Sequence, residues 1–156
     1  MRPLRARTGL LAAACASAAI LLTAVAAWPA SHLGTRTYST GPFVVTCTST
    51  GQVCSPPERL RLTPPRRGTM TSVRYTTAAG HCSAVAIQVV RNGKVLATSG
   101  RLEAGEQTEK FTTSINVPKG LSKIGFRAKG FTGGCNAGSL GSWGGKITVT
   151  VKLKHG

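Results

Sequence analysis

The chain has 156 residues, 20 Lys and Arg against 4 Asp and Glu, and a formal net charge of +16. That length suits one domain with a modest core, and the sign of the charge excludes cationic partners in favour of anionic polymers, phosphate-bearing envelopes or acidic proteins. None of the four acids is an aspartate, so the usual orienting carboxylate of a hydrolytic triad is missing.

The first segment reads as a secretory signal. Arg2, Arg5 and Arg7 form a cationic start, residues 9–27 carry no charge, and Ala24, Val25, Ala26 and Ala27 supply small residues for cleavage. Residues 1–27 are therefore expected to be removed. If retained, the uncharged run is just long enough to anchor the chain in a bilayer, and that would be its sole membrane association. Without residues 1–27 the chain keeps 17 Lys and Arg against four Glu, a net charge near +13. Residues 28–41 are polar, contain Pro29, Gly34 and Gly41, and read as a flexible lead-in to a single domain over 42–156.

Within that domain the hydrophobic pattern has period two, and helical periodicity is absent. A short strand is expected at 43–47. Arg59-Leu60-Arg61-Leu62-Thr63 alternates polar and apolar residues between two proline pairs, 56–57 and 64–65, so it is expected on a sheet edge, where missing N–H donors do least harm. A strand over 70–77 follows. Val85, Ile87 and Val89 then lead to Asn92-Gly93, the pair that supplies two positive-φ residues to a type I′ turn, and residues 94–98 return as the partner strand. Further strands are expected at 108–117, 122–128 and 146–153. About eight short strands with turns between them make an all-β antiparallel sandwich or barrel.

Residues 130–145 interrupt this pattern with seven glycines, too long a stretch for a plain hairpin turn. Glycine permits positive φ and close approach of backbone to a ligand, so this segment is the candidate binding loop. Its aromatic and polar residues are Phe131, Asn136 and Trp143, with Arg127 and Lys129 on the preceding strand.

After the signal segment four cysteines remain: Cys47, Cys54, Cys82 and Cys135. An even number in an exported chain reads as two disulfides. Of the three pairings, Cys47–Cys54 clips a hairpin and Cys82–Cys135 ties the middle of the chain to its last third, and these two are expected. Paired metal-ligand spacing is absent, so no metal and no cofactor are expected.

Two segments resemble known families. Thr76-Thr77-Ala78-Ala79-Gly80-His81-Cys82 is similar to the segment around the catalytic histidine of chymotrypsin-like proteases. The likeness ends there: the chain has no aspartate, no Gly-Asp-Ser-Gly segment, and only 75 residues after His81. His81 is therefore expected to cap a strand end beside a disulfide. Glu103, Glu106 and Glu109 crowd one turn, where paired glycosidase carboxylates cannot face each other across a cleft. The second likeness rests on Val117-Pro118-Lys119-Gly120-Leu121-Ser122-Lys123-Ile124-Gly125-Phe126 and on the closing strand 147–151. Over 85–153 this pattern resembles secreted jelly-roll carbohydrate-binding modules. The resemblance implies a jelly-roll-like β-sandwich that binds sugars through an aromatic platform and polar loop residues.

These readings converge on an exported, non-enzymatic binding protein, secreted or associated with the cell wall. Its expected partner is an anionic polymer or glycan of the cell envelope or extracellular matrix. Aromatics are too scarce for a nucleic-acid stacking platform, so no specific nucleic acid is expected. The alternative is a protein-directed inhibitor or interaction protein that uses the basic, proline-stiffened segment 55–68 as a rigid contact loop.

Overall fold

Eight strands form where the period-two pattern runs: β1 (Thr35–Thr46), β2 (Glu58–Leu62), β3 (Gly68–Thr77), β4 (Val85–Arg91), β5 (Lys94–Thr98), β6 (Thr108–Val117), β7 (Ser122–Gly130) and β8 (Ser142–Leu153). They are seen in a computed structural model that describes residues 34–155 except residue 56. The expected signal segment, 1–27, and the start of the expected lead-in lie outside the described residues.

The strands build two antiparallel four-stranded sheets, ordered β1-β8-β3-β6 and β2-β7-β4-β5. Successive strands cross from one sheet to the other except at the β4–β5 hairpin. This is the wrapping of a two-sheet jelly roll, as expected. The Asn92-Gly93 turn is also as expected: Asn92 has φ 51°, Gly93 has φ 77°, and Arg91 pairs directly with Lys94. The strand between the proline pairs is β2, an edge strand bonded only to β7. Both expected disulfides are present, Cys47–Cys54 and Cys82–Cys135.

Two boundaries differ from expectation. Residues 35–41 belong to β1 rather than to a flexible lead-in, because β1 lies along the edge of its sheet and pairs with β8 from Thr35↔Lys152 onward. Its residues are mostly polar and exposed, so little apolar alternation marks them. At the other end, β8 begins at Ser142, four residues before the expected start. Gly144 and Gly145 are strand residues here. A side chain on Gly145, at φ +149°, would place its Cβ against the carbonyl oxygen of Thr76 in β3. Only glycine lets the two strands approach this closely.

The inward faces close over one core. Leu62, Val73, Ile87, Ile124, Phe126 and Ile147 are at most 1% exposed. Tyr75 and Trp143 extend this core to one end of the sandwich, with ring centroids 5.8 Å apart. The Tyr75 hydroxyl donates to the Gly144 carbonyl at 2.7 Å. Burial pushes the Tyr75 phenol well above the ordinary tyrosine range. The unfolded chain ionises this group near pH 10, while the folded chain keeps it protonated. Its contribution is therefore full below about pH 10 and is lost as pH rises above that value. Denaturant melts should show stability falling with alkaline pH, and Tyr75→Phe should flatten the slope. An unchanged slope in that variant would place the effect elsewhere.

Candidate functional site

On β7 the side chains alternate. Ile124, Phe126 and Ala128 point into the core, so Lys123, Gly125, Arg127 and Lys129 face outward. On β2 the buried pair Leu60 and Leu62 leaves Arg59 and Arg61 outward. The antiparallel register sets Arg59 opposite Gly125 and Arg61 opposite Lys123. Five cations therefore share the outer face of the β2-β7-β4-β5 sheet: Arg59, Arg61, Lys123, Arg127 and Lys129. The outward positions opposite them on β4 are Ala86, Gln88 and Val90, none of them acidic. Gln88 fixes one cation, its side-chain oxygen accepting from Arg127 Nε at 2.9 Å.

A groove of about 450 Å³ crosses this face, walled by Arg59, Arg91, Lys123 and Arg127, with no carboxylate among its lining residues. Gly125 lies in this lining, where a Cβ would press on the Pro57 ring at 3.2 Å. Arg91 has an unusual environment. Its Nη1 donates to the Asn116 carbonyl at 2.9 Å, but Nε and Nη2 are buried with no acceptor among the described residues. Shielded donors without acceptors are costly.

Three of the five expected binding residues belong to this surface. Arg127 and Lys129 lie on it, and Phe131 continues from the end of β7. Lys129 Nζ sits 5.7 Å from the Phe131 ring centroid, and Arg101 Cζ sits 4.8 Å away over the same ring. Arg101 is about half exposed and also pairs with Glu103 at 2.7 Å. Phe131 thus serves as a seat for two cations rather than as a bare stacking platform.

The other two residues are placed differently. Trp143 is only 5% exposed and packs edge-on against Phe43, with centroids 4.9 Å apart. It is an inward residue of β8, not an exposed sugar platform. Asn136 is 4% exposed. Its amide donates to Gln52 at 2.7 Å and its oxygen accepts from the Gly138 N–H at 3.0 Å. It therefore braces the glycine-rich loop from inside and has no free amide to present. The contact loop expected at 55–68 is also corrected. Glu58–Leu62 within it is strand β2, and Leu60 and Leu62 are core residues. The strand ladder, not the prolines alone, fixes that segment.

His81 lies beside Cys82 on the rim of a separate cleft of about 390 Å³ at the end of the sandwich, which Trp143 also lines. Its Nε2 is 2.7 Å from the Glu106 carbonyl and its Nδ1 is 3.1 Å from the Ser83 carbonyl. Both ring nitrogens face backbone oxygens, and no serine hydroxyl is among their partners. Among the described residues no group of three His, Cys, Asp or Glu side chains could hold a metal.

No protein family and no curated protein matches this chain. Solved structures overlap it at low similarity. A family 35 carbohydrate binding module from Clostridium thermocellum is 13% identical, with 74% of this chain and 97% of that chain covered at a TM-score of 0.39. CsCBM6-3 from Clostridium stercorarium, solved in complex with cellobiose, is 14% identical, with 77% and 87% covered at 0.31. Infectious bursal disease virus, Gx strain, is 11% identical, with 76% of this chain covered at 0.39. This chain spans about a third of the length of that viral chain. The likeness to carbohydrate-binding modules is thus present and weak, and it concerns strand arrangement alone.

Lys123, Arg91 and Arg101 are not among the residues singled out from sequence, and Arg59 and Arg61 enter there only as part of the basic segment 55–68. The alternation Arg59-Leu60-Arg61 and the alternation Lys123-Ile124 each mark an outward cation. That the two sets lie side by side follows only from the β2–β7 pairing.

Proposed function

We propose that this domain is an exported, non-catalytic binding module for an anionic polymer of the cell envelope or its surroundings, held across the outer face of the β2-β7-β4-β5 sheet. The observation that carries this reading is the groove walled by Arg59, Arg91, Lys123 and Arg127 without a carboxylate. Two disulfides support export, because such bonds persist in oxidising compartments. The ligand chemistry is a repeating phosphate or carboxylate on a polyol or sugar backbone. Lys123, Arg127, Lys129 and Arg59 would neutralise successive charges. Gln88 would hold Arg127 in place.

Binding of this kind releases counterions and so weakens steeply with salt. If about four anionic groups are neutralised at the slope known for single-stranded polyanions, a fourfold rise in salt should weaken binding about fifty-fold. Equilibrium binding to poly(glycerol phosphate), measured against a neutral glucan at matched salt, tests this. The double variant Lys123→Glu, Arg127→Glu should lose at least tenfold in affinity and show a shallower salt slope. Equal affinity for the neutral glucan, without salt dependence, would contradict the proposal.

A further inference from the structure

The opposite side of the sandwich carries a second cationic face of different make-up. The register of the β1-β8-β3-β6 sheet resolves its outward positions into four rows that run across all four strands. The first row is Thr35, Lys152, Thr69 and Asn116, and the second is Thr37, Thr150, Ser72 and Thr112. The third is Ser39, Thr148, Arg74 and Lys110, and the fourth is Pro42, Lys146, Thr76 and Thr108. Lys152, Arg74, Lys110 and Lys146 are all exposed. Almost every other position is a hydroxyl, and none is a carboxylate. Glu109 is the β6 residue between Lys110 and Thr108, but it pairs with buried Tyr75 and so belongs to the inward side.

A sheet face open to solvent tolerates mixed charge, and alternating signs across strands would stabilise it. This face instead places Arg74 directly opposite Lys110, a like-charge pair that costs stability. Hydroxyl rows beside unbalanced cations suit a ligand that brings negative charge and hydrogen-bonding oxygens together. The two faces belong to different sheets and point away from each other, so one strand of polymer cannot lie on both.

We propose that each domain holds two strands of anionic polymer, one on each sheet, and so cross-bridges them. This rests on the reading of the β2-β7-β4-β5 face given above. The hydroxyl face takes the same ligand chemistry, a polyol or sugar chain bearing phosphate or carboxylate. Bridging has a distinctive dependence on composition. It peaks at intermediate protein-to-polymer ratio and dissolves when excess protein coats every strand singly, because a second site helps only while a second strand is free to reach it.

The experiment is light scattering of poly(glycerol phosphate) titrated with the full secreted domain, with affinity and stoichiometry measured in parallel. Three proteins are compared: the wild type, the hydroxyl-face variant Arg74→Glu, Lys110→Glu, Lys146→Glu, and the charge-matched control Arg66→Glu, Arg67→Glu, Lys119→Glu, whose residues are exposed. The control residues lie outside the four rows and outside the groove. Wild type and control should scatter with a maximum at intermediate ratio. The hydroxyl-face variant should keep its affinity within about threefold of the control, bind one strand instead of two, and lose at least tenfold in peak scattering. If that variant fails to fold, the neutral Lys110→Gln, Lys146→Gln, Lys152→Gln carries the same comparison. Equal scattering by the face variant and the control would overturn bridging and leave the groove intact as a site. Loss of all binding in the face variant would also overturn it, by making the hydroxyl face the primary site. A wild type that binds no polymer would overturn the function proposed for the groove as well.

Discussion

Removing the Cys82–Cys135 disulfide, by Cys82→Ser with Cys135→Ser, should destabilise the domain by about 4 kcal/mol, since the bond closes a long loop in the unfolded chain. The two residues are 53 apart in sequence. The Cys47–Cys54 bond spans only 7, and the same loop-entropy reasoning gives about 2.5 kcal/mol for it. The longer bridge is therefore expected to cost more when removed. Local packing adds to the longer bridge. The Cys135 N–H donates to the Cys82 carbonyl at 3.3 Å, and a Cβ on Gly134 would collide with that carbonyl. The glycine-rich loop is thus laid directly on the segment 81–83, and the bridge holds it there. Chemical denaturation of the two double variants measures both losses. A larger loss from the Cys47–Cys54 pair would contradict this account.

Phe126→Ala should cost about 3–5 kcal/mol, the range for deleting a fully buried aromatic ring. Phe126 is 0% exposed and sits on β7, between the outward residues Gly125 and Arg127. A domain of this size has roughly 5–15 kcal/mol of stability in total, so the loss is a large share of the whole. Whatever fraction stays folded should bind polymer with nearly unchanged affinity, because the ring faces away from the groove. Thermal melting with a parallel binding isotherm separates the two quantities. A cost below about 1 kcal/mol would mean that the two sheets do not pack as described.

Much of the fold was legible in sequence, because a half-buried strand writes itself as alternation. The Asn92-Gly93 hairpin, the edge position of β2 between its prolines and the alternation of β8 all follow from local chemistry. The start of β1 does not. Its residues Thr35, Arg36 and Thr37 are all exposed, and they form strand because β8 offers a ladder to pair with. Gly144 and Gly145 look like loop residues until β3 and β1 are known to press against them. Trp143 was more readable than it first looks. Counting back by two from Ile147 reaches Gly145 and then Trp143, which puts the indole on the inward face. The proposed binding site was legible only in its sign. Arg127 and Lys129 are marked by their strand, but the groove needs Arg59, which lies 68 residues earlier and arrives only through sheet pairing. Asn136 and the glycine-rich loop drew attention by composition, and the Asn136 side chain is spent on Gln52 and Gly138 within the fold.

The most direct test of the central claim is to titrate the isotopically labelled domain with poly(glycerol phosphate) and map the amide shifts. The shifts expected first and largest fall on Arg59, Gly125, Arg127 and Lys129, and they should fade as salt is raised. Shifts confined instead to the end cleft beside His81 and Trp143, produced equally by a neutral sugar, would contradict the claim.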